Sequence, residues 1–482
     1  MATRPGRDLT QGPIARTLLL FALPTLGSSI LQSLNGSINA IWVGQFLGEA
    51  ALAATANANL VMFLMFSAVF GFGMAATILI GQRIGAHDVD GARRVIGTTI
   101  GMFAVAASLV ALAGWLWAPS LLHLLATPPE VFGLALAYLR IIFLGLPPSM
   151  IVVLITMGLR GSGDSLTPLW FMILSAVIDV ILNPVLILGL GPAPQLGIRG
   201  SAAATLIANI VGLLALVAYI YRRDLPLRLR GREIGYLLPD LRLLKTIVFK
   251  GVPMGLQMLV VSVSALAMIG LVNREGAAVT AAYGAANQLW TYIQMPAMAL
   301  GAAVSAMAAQ NIGANRWDRV SQVTRAGIGM NVLMTGSAVL LLLLAIDRHA
   351  LSLFLGNDGH AMAIARHMNL IVSWGFILFG ITSVLSAVVR ANGAVMVPLL
   401  ILVIAFFPVR LGLAASFQPR IGADAIWWSY NAGSLTTLVL TIAYFRFGGW
   451  RALRMMPPTD PIEAEEMVIS STDPAGRAQP NG

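Results

Sequence analysis

Gln82-Arg83-Ile84-Gly85-Ala86, with Asp90 soon after, returns later in the chain as Gln310-Asn311-Ile312-Gly313-Ala314, with Asp318 soon after; the offset is 228. Gly48, Ala53, Ala54 and Asn59 map by the same shift onto Gly276, Ala281, Ala282 and Asn287. Further along, Arg160, Gly163 and Pro168 recur as Arg390, Gly393 and Pro398 at an offset of 230, and Pro24 matches Pro253 at 229. Small residues recur by chance in membrane helices, where they let backbones approach. No single match decides anything, but their shared order along the chain does. The chain is a duplicated unit.

What that unit is follows from composition. Of the 482 residues 58% are hydrophobic and only 10% charged, and mean hydropathy is +0.83. A soluble domain needs about a quarter of its residues charged, so most of this chain is solvated by lipid. The net charge of +10 does not indicate a nucleic-acid partner, because the basic residues are spread between apolar segments instead of clustering on one face. Cysteine is absent, which removes disulfides, thiolate metal sites and thiol nucleophiles.

A helix needs about twenty apolar residues to cross a bilayer. Such stretches lie near 18–42, 51–80, 95–117, 134–156, 166–190 and 198–221, then near 246–271, 278–309, 324–346, 367–389, 396–418 and 423–446. This predicts an all-α polytopic membrane protein of twelve transmembrane helices in two pseudo-symmetric six-helix lobes. The N-terminus, the even-numbered gaps and the C-terminal tail hold 23 Lys and Arg, whereas the odd-numbered gaps hold 5. By the positive-inside rule both termini are cytoplasmic and the protein is a multi-pass protein of the cell inner membrane. The expected organisation is a cytoplasmic N-terminus at 1–17, a first lobe at 18–221, a cytoplasmic linker at 222–245, a second lobe at 246–446 and a tail at 447–482. That tail is acidic and Pro-bearing and reads as disordered. Because both halves begin on the same side, they are parallel repeats related by an axis along the membrane normal, the arrangement of many transporters.

The first span runs from Ala22 through Pro24, Asn35, Asn39, Val43 and Gly44 to Ala54, and the second ends in the Gln82–Ala86 element. Tyr138–Pro147, Leu159–Pro168, Asn183–Gly189 and Leu196–Thr205 follow in order. Together these segments resemble the multidrug and toxic compound extrusion (MATE) family over about Pro13 to Trp450. The resemblance implies a V-shaped two-lobe fold and secondary antiport. Amphipathic, often cationic, drugs or toxic metabolites would leave by alternating access in exchange for protons or sodium ions. It implies small-molecule substrates and no cofactor beyond the coupling ion; a monomer in the lipid bilayer is expected.

A coupled exporter needs a group whose charge or ligation changes with the driving ion. Nineteen of the 20 acids fall in termini, gaps or helix ends; Asp179, in the middle of the fifth span, does not. A carboxylate there costs several kcal/mol unless protonated, paired or facing water, and intramembrane acids are functional by default. Asn183 follows four residues later on the same helix face, and Pro184 withholds one backbone N–H, freeing a carbonyl nearby. Asn35 and Asn39 on the first span, and Thr205 on the sixth, are the other candidate ligands for a proton or a transient sodium ion. No further metal site is expected. The resemblance is imperfect here. Its members usually carry an acid where Asn39 stands, one branch has the Asp179–Asn183 pair in reverse order, and others place an acid near Val261, where this chain has none. Coupling is therefore expected in the first lobe.

Pro24, Pro184 and Pro253 are candidate helix hinges. Gln257, Met258, Asn287, Gln288, Tyr292 and Gln294 on the seventh and eighth spans are candidate cavity residues. Arg410 stands inside a span as either a capped helix break or a pathway residue, and Arg140 reads as a side chain reaching for the interface. An intramembrane enzyme is disfavoured because His87, His123, His349, His360 and His367 all fall in gaps or at helix ends and no second buried acid is evident. An exporter or flippase of a lipid-linked or other endogenous metabolite is the nearer alternative.

Overall fold

The structure, a computed structural model, describes residues 8–355 and 359–456. Residues 457–482, most of the tail read as disordered, lie outside the described residues. Among the described residues the fold is all helix, without a strand.

The first half forms α1 (Ile14–Leu47), α2 (Glu49–Gly85), α3 (Val89–Leu124), α4 (Pro129–Gly161), α5 (Leu166–Leu188) and α6 (Ile198–Arg222). After a short 3-10 turn at Gly231–Leu237 the second half forms α7 (Leu241–Asn273), α8 (Ala277–Gly313) and α9 (Trp317–Leu341). A π-turn at Leu342–Ile346 carries α9 into α10 (Asp347–Leu355), and α11 (His360–Val372) and α12 (Trp374–Ala391) follow. A second π-turn at Ala405–Leu411 joins α13 (Met396–Ile404) to α14 (Gly412–Ile421), and α15 (Asp424–Phe447) is the last long helix. Ten helices among the described residues are long and apolar enough to span a membrane, and α11 with α12 makes an eleventh span, bent by 43°. The twelfth expected span corresponds to α15, whose first turns carry Trp427, Trp428, Ser429, Tyr430 and Asn431 in place of an unbroken apolar run.

The backbone repeats with the sequence. Gly48 and Gly276 both have positive φ (82° and 100°), as do His87 and Asn315 (60° and 56°) and Gly163 and Gly393 (93° and 92°). The same turns therefore close the same helices in each half. Within the first half α2, α3 and α6 pack around α4, and α1 lies along α5 and α5 along α6; in the second half α8, α9 and α15 pack around α12. Side chains such as Leu214, Leu266 and Leu333 stay largely exposed on the outside, as expected where lipid is the solvent.

The halves meet through α2 against α7 and α8, and through α1 against α8. At the end nearest the linker the contact is reciprocal: a Cβ on Gly85 would overlap the Gln310 carbonyl, and one on Gly313 the Gln82 carbonyl. Gln82 Nε2 donates to the Ala391 carbonyl at 2.7 Å, and Gln310 Nε2 donates to that of Gly161 at 3.0 Å, so each glutamine ties its own half to the other. The lead-in also crosses over. Leu9 N–H donates to Gln310 Oε1 (3.1 Å), Asn311 Nδ2 to the Leu9 carbonyl (3.1 Å), Arg316 to that of Thr10 (2.8 Å) and Arg319 to that of Gly12 (3.1 Å).

The expected hinge prolines lie inside helices that run through them: Pro24 in α1, Pro184 in α5 and Pro253 in α7. Irregular turns occur at the π-turn Leu342–Ile346, between α11 and α12, and at the π-turn around Pro408, whose ring lacks the N–H that a regular turn requires.

Candidate functional site

Asp179 sits mid-way along α5 and is only 3% exposed. That helix is apolar on its outer face, while Asp179, Asn183 and Ile187, one turn apart, are buried. Three neutral donors converge on the carboxylate. Asn35 Nδ2 of α1 reaches Oδ2 at 3.0 Å, and Thr205 Oγ1 of α6 and Asn183 Nδ2 reach Oδ1 at 3.0 and 3.1 Å. Asn183 Nδ2 also donates to the Asp179 backbone carbonyl at 3.1 Å. No arginine or lysine pairs with Asp179 among the described residues. Beside it, Asn35 Oδ1 and Asn183 Oδ1 are buried without a partner. A carboxylate, two amide oxygens and a hydroxyl form an all-oxygen set, the donor type that small hard cations take.

Asn39, one turn beyond Asn35, does not share this cluster. Its Oδ1 accepts from Ser201 Oγ at 2.8 Å, a bond between α1 and α6.

The carboxylate opens on a cavity of about 460 Å³ between α1, α2, α4, α5 and α6, which Met258 of α7 also lines. Aromatic and thioether side chains make much of its wall, among them Phe66, Phe171 and Met172; Gln32 and Thr156 supply polar atoms. Asn209 Nδ2, also on the wall, donates to Ser149 Oγ at 2.9 Å. Arg160 lines the cavity as well, with its Nε buried and unpartnered. Sequence reasoning missed Ser149, Asn209 and Arg160. The recurrence of Arg160 as Arg390 marks the position, but only packing shows which space it faces.

The other expected cavity residues lie elsewhere. Gln257 is buried against α12, accepting from Arg390 Nη1 at 3.3 Å and donating to the Val395 carbonyl at 3.3 Å. Gln294 Nε2 donates to the Trp290 carbonyl at 3.2 Å. Gln288 Nε2 donates to Tyr292 Oη at 3.5 Å, with Tyr292 40% exposed, and Asn287 is exposed. Of that group Met258 alone lines the cavity described above.

At the end of the second lobe away from the Gly85–Gly313 contact, aromatic side chains pack together. Tyr283 and Tyr430 share a hydrogen bond of 2.7 Å, Trp290 and Trp427 pack beside them, and the Arg410 guanidinium lies 3.4 Å from the Tyr430 ring centre. Arg410 is thus held on an aromatic face in the π-turn. Arg140 similarly lies over Trp115, at 4.9 Å.

A second buried acid corrects the expectation that Asp179 stands alone. Asp347 opens α10 and is 7% exposed, because α11 folds across it. Arg366 Nε and Asn369 Nδ2 donate to its two oxygens at 3.0 and 2.6 Å. Unlike Asp179 it has a cationic partner, which offsets the cost of burying it.

Comparison with known proteins agrees with the duplication. The family model MatE matches the chain twice, over residues 24–185 and 253–415. A probable multidrug resistance protein of Bacillus subtilis, YoeA, is 38% identical over 90% of this chain and 93% of its own. A protein of Shewanella oneidensis named FAD transporter is 26% identical over 95% of this chain and 99% of its own. Among solved structures, a MATE crystal structure in the straight conformation superposes with a TM-score of 0.84 at 20% identity, covering 92% of this chain and 98% of that one. At that identity the likeness speaks for the fold. The two matched halves and the Bacillus relative together establish that the chain belongs to the MatE family, whose members are multi-pass membrane transporters and not enzymes.

Proposed function

We propose that the protein is a secondary antiporter that exports amphipathic, cationic drugs or toxic metabolites across the inner membrane in exchange for protons or sodium ions. The observation that carries this reading is Asp179: a buried carboxylate on the wall of a drug-sized cavity, held by neutral donors and lacking a cationic partner among the described residues. A proton or sodium ion supplies the missing positive charge. The unpartnered oxygens of Asn35 and Asn183 are the groups that turn to such an ion. An organic cation in the same cavity competes for the same carboxylate, which is what exchange requires.

The lobes at 18–221 and 246–446 move against each other in this scheme, joined by the 222–245 linker. The distribution of Lys and Arg supports a cytoplasmic location for both termini and the linker. On that topology the reciprocal contact of Gly85 and Gly313 closes the cytoplasmic side, and the conformation described here faces outward. A monomer suffices, since one chain supplies both lobes.

The test is uptake of a fluorescent organic cation into inverted vesicles under imposed proton and sodium gradients. Wild type should respond to one gradient and Asp179→Asn to neither; normal export by the variant refutes the coupling role.

Arg160 favours a second reading, export of an anionic metabolite, to which the name of the Shewanella relative also points. A buried guanidinium on the cavity wall suits a carboxylate or phosphate. Arg160→Gln abolishing transport of a flavin dinucleotide while sparing organic cations would decide for it.

A further inference from the structure

Among the described residues, the second half leaves open a groove that the first half fills. In the first half α3 and α6 flank α4, and the segment after α6 folds back across them. Leu225 and Leu227 are buried there, Arg93 donates to the Pro226 carbonyl at 2.9 Å, and Glu233 pairs with Arg93 at 2.6 Å. The segment lies so close that a Cβ on Gly97 would come within 2.7 Å of the Tyr236 carbonyl oxygen, and one on Gly101 would overlap that of Leu237.

In the second half α9 and α15 flank α12 in the same way. By the offset of 228, Gly97 corresponds to Arg325 and Gly101 to Gly329. Where Gly101 meets backbone, Gly329 has nothing within 4 Å. A groove of about 460 Å³ remains, lined by Arg325 of α9, Arg446 of α15 and Arg451 just beyond it. Ser321 and Thr324 add hydroxyls. No carboxylate pairs with the three guanidinium groups among the described residues. In the first half a chain segment bearing Glu233 covers the cleft and neutralises its arginine; here, among the described residues, the positive charges stand together without that cover.

The chemistry of the groove is two-sided. Guanidinium forks and hydroxyls recognise phosphate. The rest of the wall is apolar and faces outward from the bundle, with Ile442 on it 41% exposed. A basic cleft between transmembrane helices at the cytoplasmic surface suits a lipid headgroup. We infer that this groove binds the phosphate of an anionic phospholipid of the inner leaflet, with the acyl chains along α9 and α15. The inference depends on the cytoplasmic placement of this end, and not on what the central cavity transports.

Native mass spectrometry of the full chain released from vesicles of mixed phosphatidylglycerol and phosphatidylcholine tests it. Wild type should retain phosphatidylglycerol in preference. Arg325→Gln, Arg446→Gln and Arg451→Gln combined should lower retention at least about tenfold, the scale of a lost charge-assisted hydrogen bond. Ile328→Trp, on the groove wall, fills the groove and keeps every charge, and should do the same while melting as wild type does. Equal retention of both lipids, or undiminished phosphatidylglycerol in both variants, overturns the proposal. So does displacement of the lipid by millimolar inorganic phosphate, which would make the groove a site for the free ion. If phosphatidylglycerol binds only after Glu463, Glu465 and Glu466 are changed to Gln, the chain's own tail is the occupant and the lipid proposal falls.

Discussion

Gly85 and Gly313 occupy equivalent places on the two sides of the lobe contact, each accommodating the carbonyl of the glutamine that opens the other's motif. Since Gly within a helix costs about 1 kcal/mol relative to Ala, a side chain at either position helps the isolated helix and harms only the approach. Gly85→Val and Gly313→Val are therefore expected to keep the protein folded but open this end. The chain has no cysteine, so spin labels placed at Val89 and Asp318 report the distance directly. Both variants should lengthen it and lower transport at least about tenfold, the factor that roughly 1.4 kcal/mol gives.

Asp179 and Asp347 are both buried acids, and their neutral replacements should behave differently. Asp179→Asn removes the charge from a site without a cationic partner and should abolish gradient-driven export with little change in melting temperature. Asp347→Asn leaves Arg366 facing a neutral amide. It should lower stability by about 1–2 kcal/mol, since Arg366 is half exposed and solvent screens the charge left behind, and leave ion dependence unchanged in vesicles.

The donors around Asp179 make the coupling ion identifiable. Asn35→Ala and Thr205→Val each remove a hydrogen bond to the carboxylate, worth about 1.5–3 kcal/mol for a charged group. Losing a donor that favours the bare carboxylate eases proton uptake, whereas losing an oxygen ligand weakens sodium binding. Half-maximal exchange should move to lower proton or to higher sodium concentration, and flux titrations show which.

Tyr236 fastens the linker by donating to Asp90 at 2.7 Å, and the acceptance of that proton by Asp90 holds the phenol above its usual value. A raised folded value means that the contribution is fully present below the unfolded tyrosine value of about 10 and is lost as pH climbs through the folded one. The tyrosinate absorbance difference between wild type and Tyr236→Phe should therefore rise late in an alkaline titration. In an Asp90→Asn background it should rise earlier.

Tyr430 supports Arg410 with its ring and Tyr283 with its hydroxyl. Tyr430→Phe keeps the ring and should cost about 1 kcal/mol for the hydrogen bond. Tyr430→Ala also removes the ring face and the packing of Trp290, and should cost about 3–5 kcal/mol, read by thermal unfolding in detergent.

Legibility differed between local and distant relationships. The duplication was readable because the same small residues return in order, and the shared left-handed turns at His87 and Asn315 show that they build the same corners. Asn183 was readable beside Asp179 because four residues is one helical turn. Asn35 and Thr205 were readable as polar groups on neighbouring apolar spans. Asn39 has the same character, yet it turns to Ser201, and helix rotation is not written in residue type. Asp347 was hidden because a gap position appears solvated until α11 folds over it. Gln257 and Met258 are adjacent in sequence and face different surroundings, one toward Arg390 and the other into the cavity. The π-turn at 405–411 had only Pro408 as its signal.

The crossing of the lead-in has a consequence for synthesis. Leu9, Thr10 and Gly12 find their hydrogen-bond partners at Gln310, Asn311, Arg316 and Arg319, some 300 residues further on. At about 5–20 residues per second the ribosome delivers those partners roughly 15–60 s after the start of the chain has emerged. For that interval the first six helices must sit in the bilayer with their opening segment unattached. The segment is therefore fastened only once α8 and the start of α9 have been made, before the rest of the second lobe is complete.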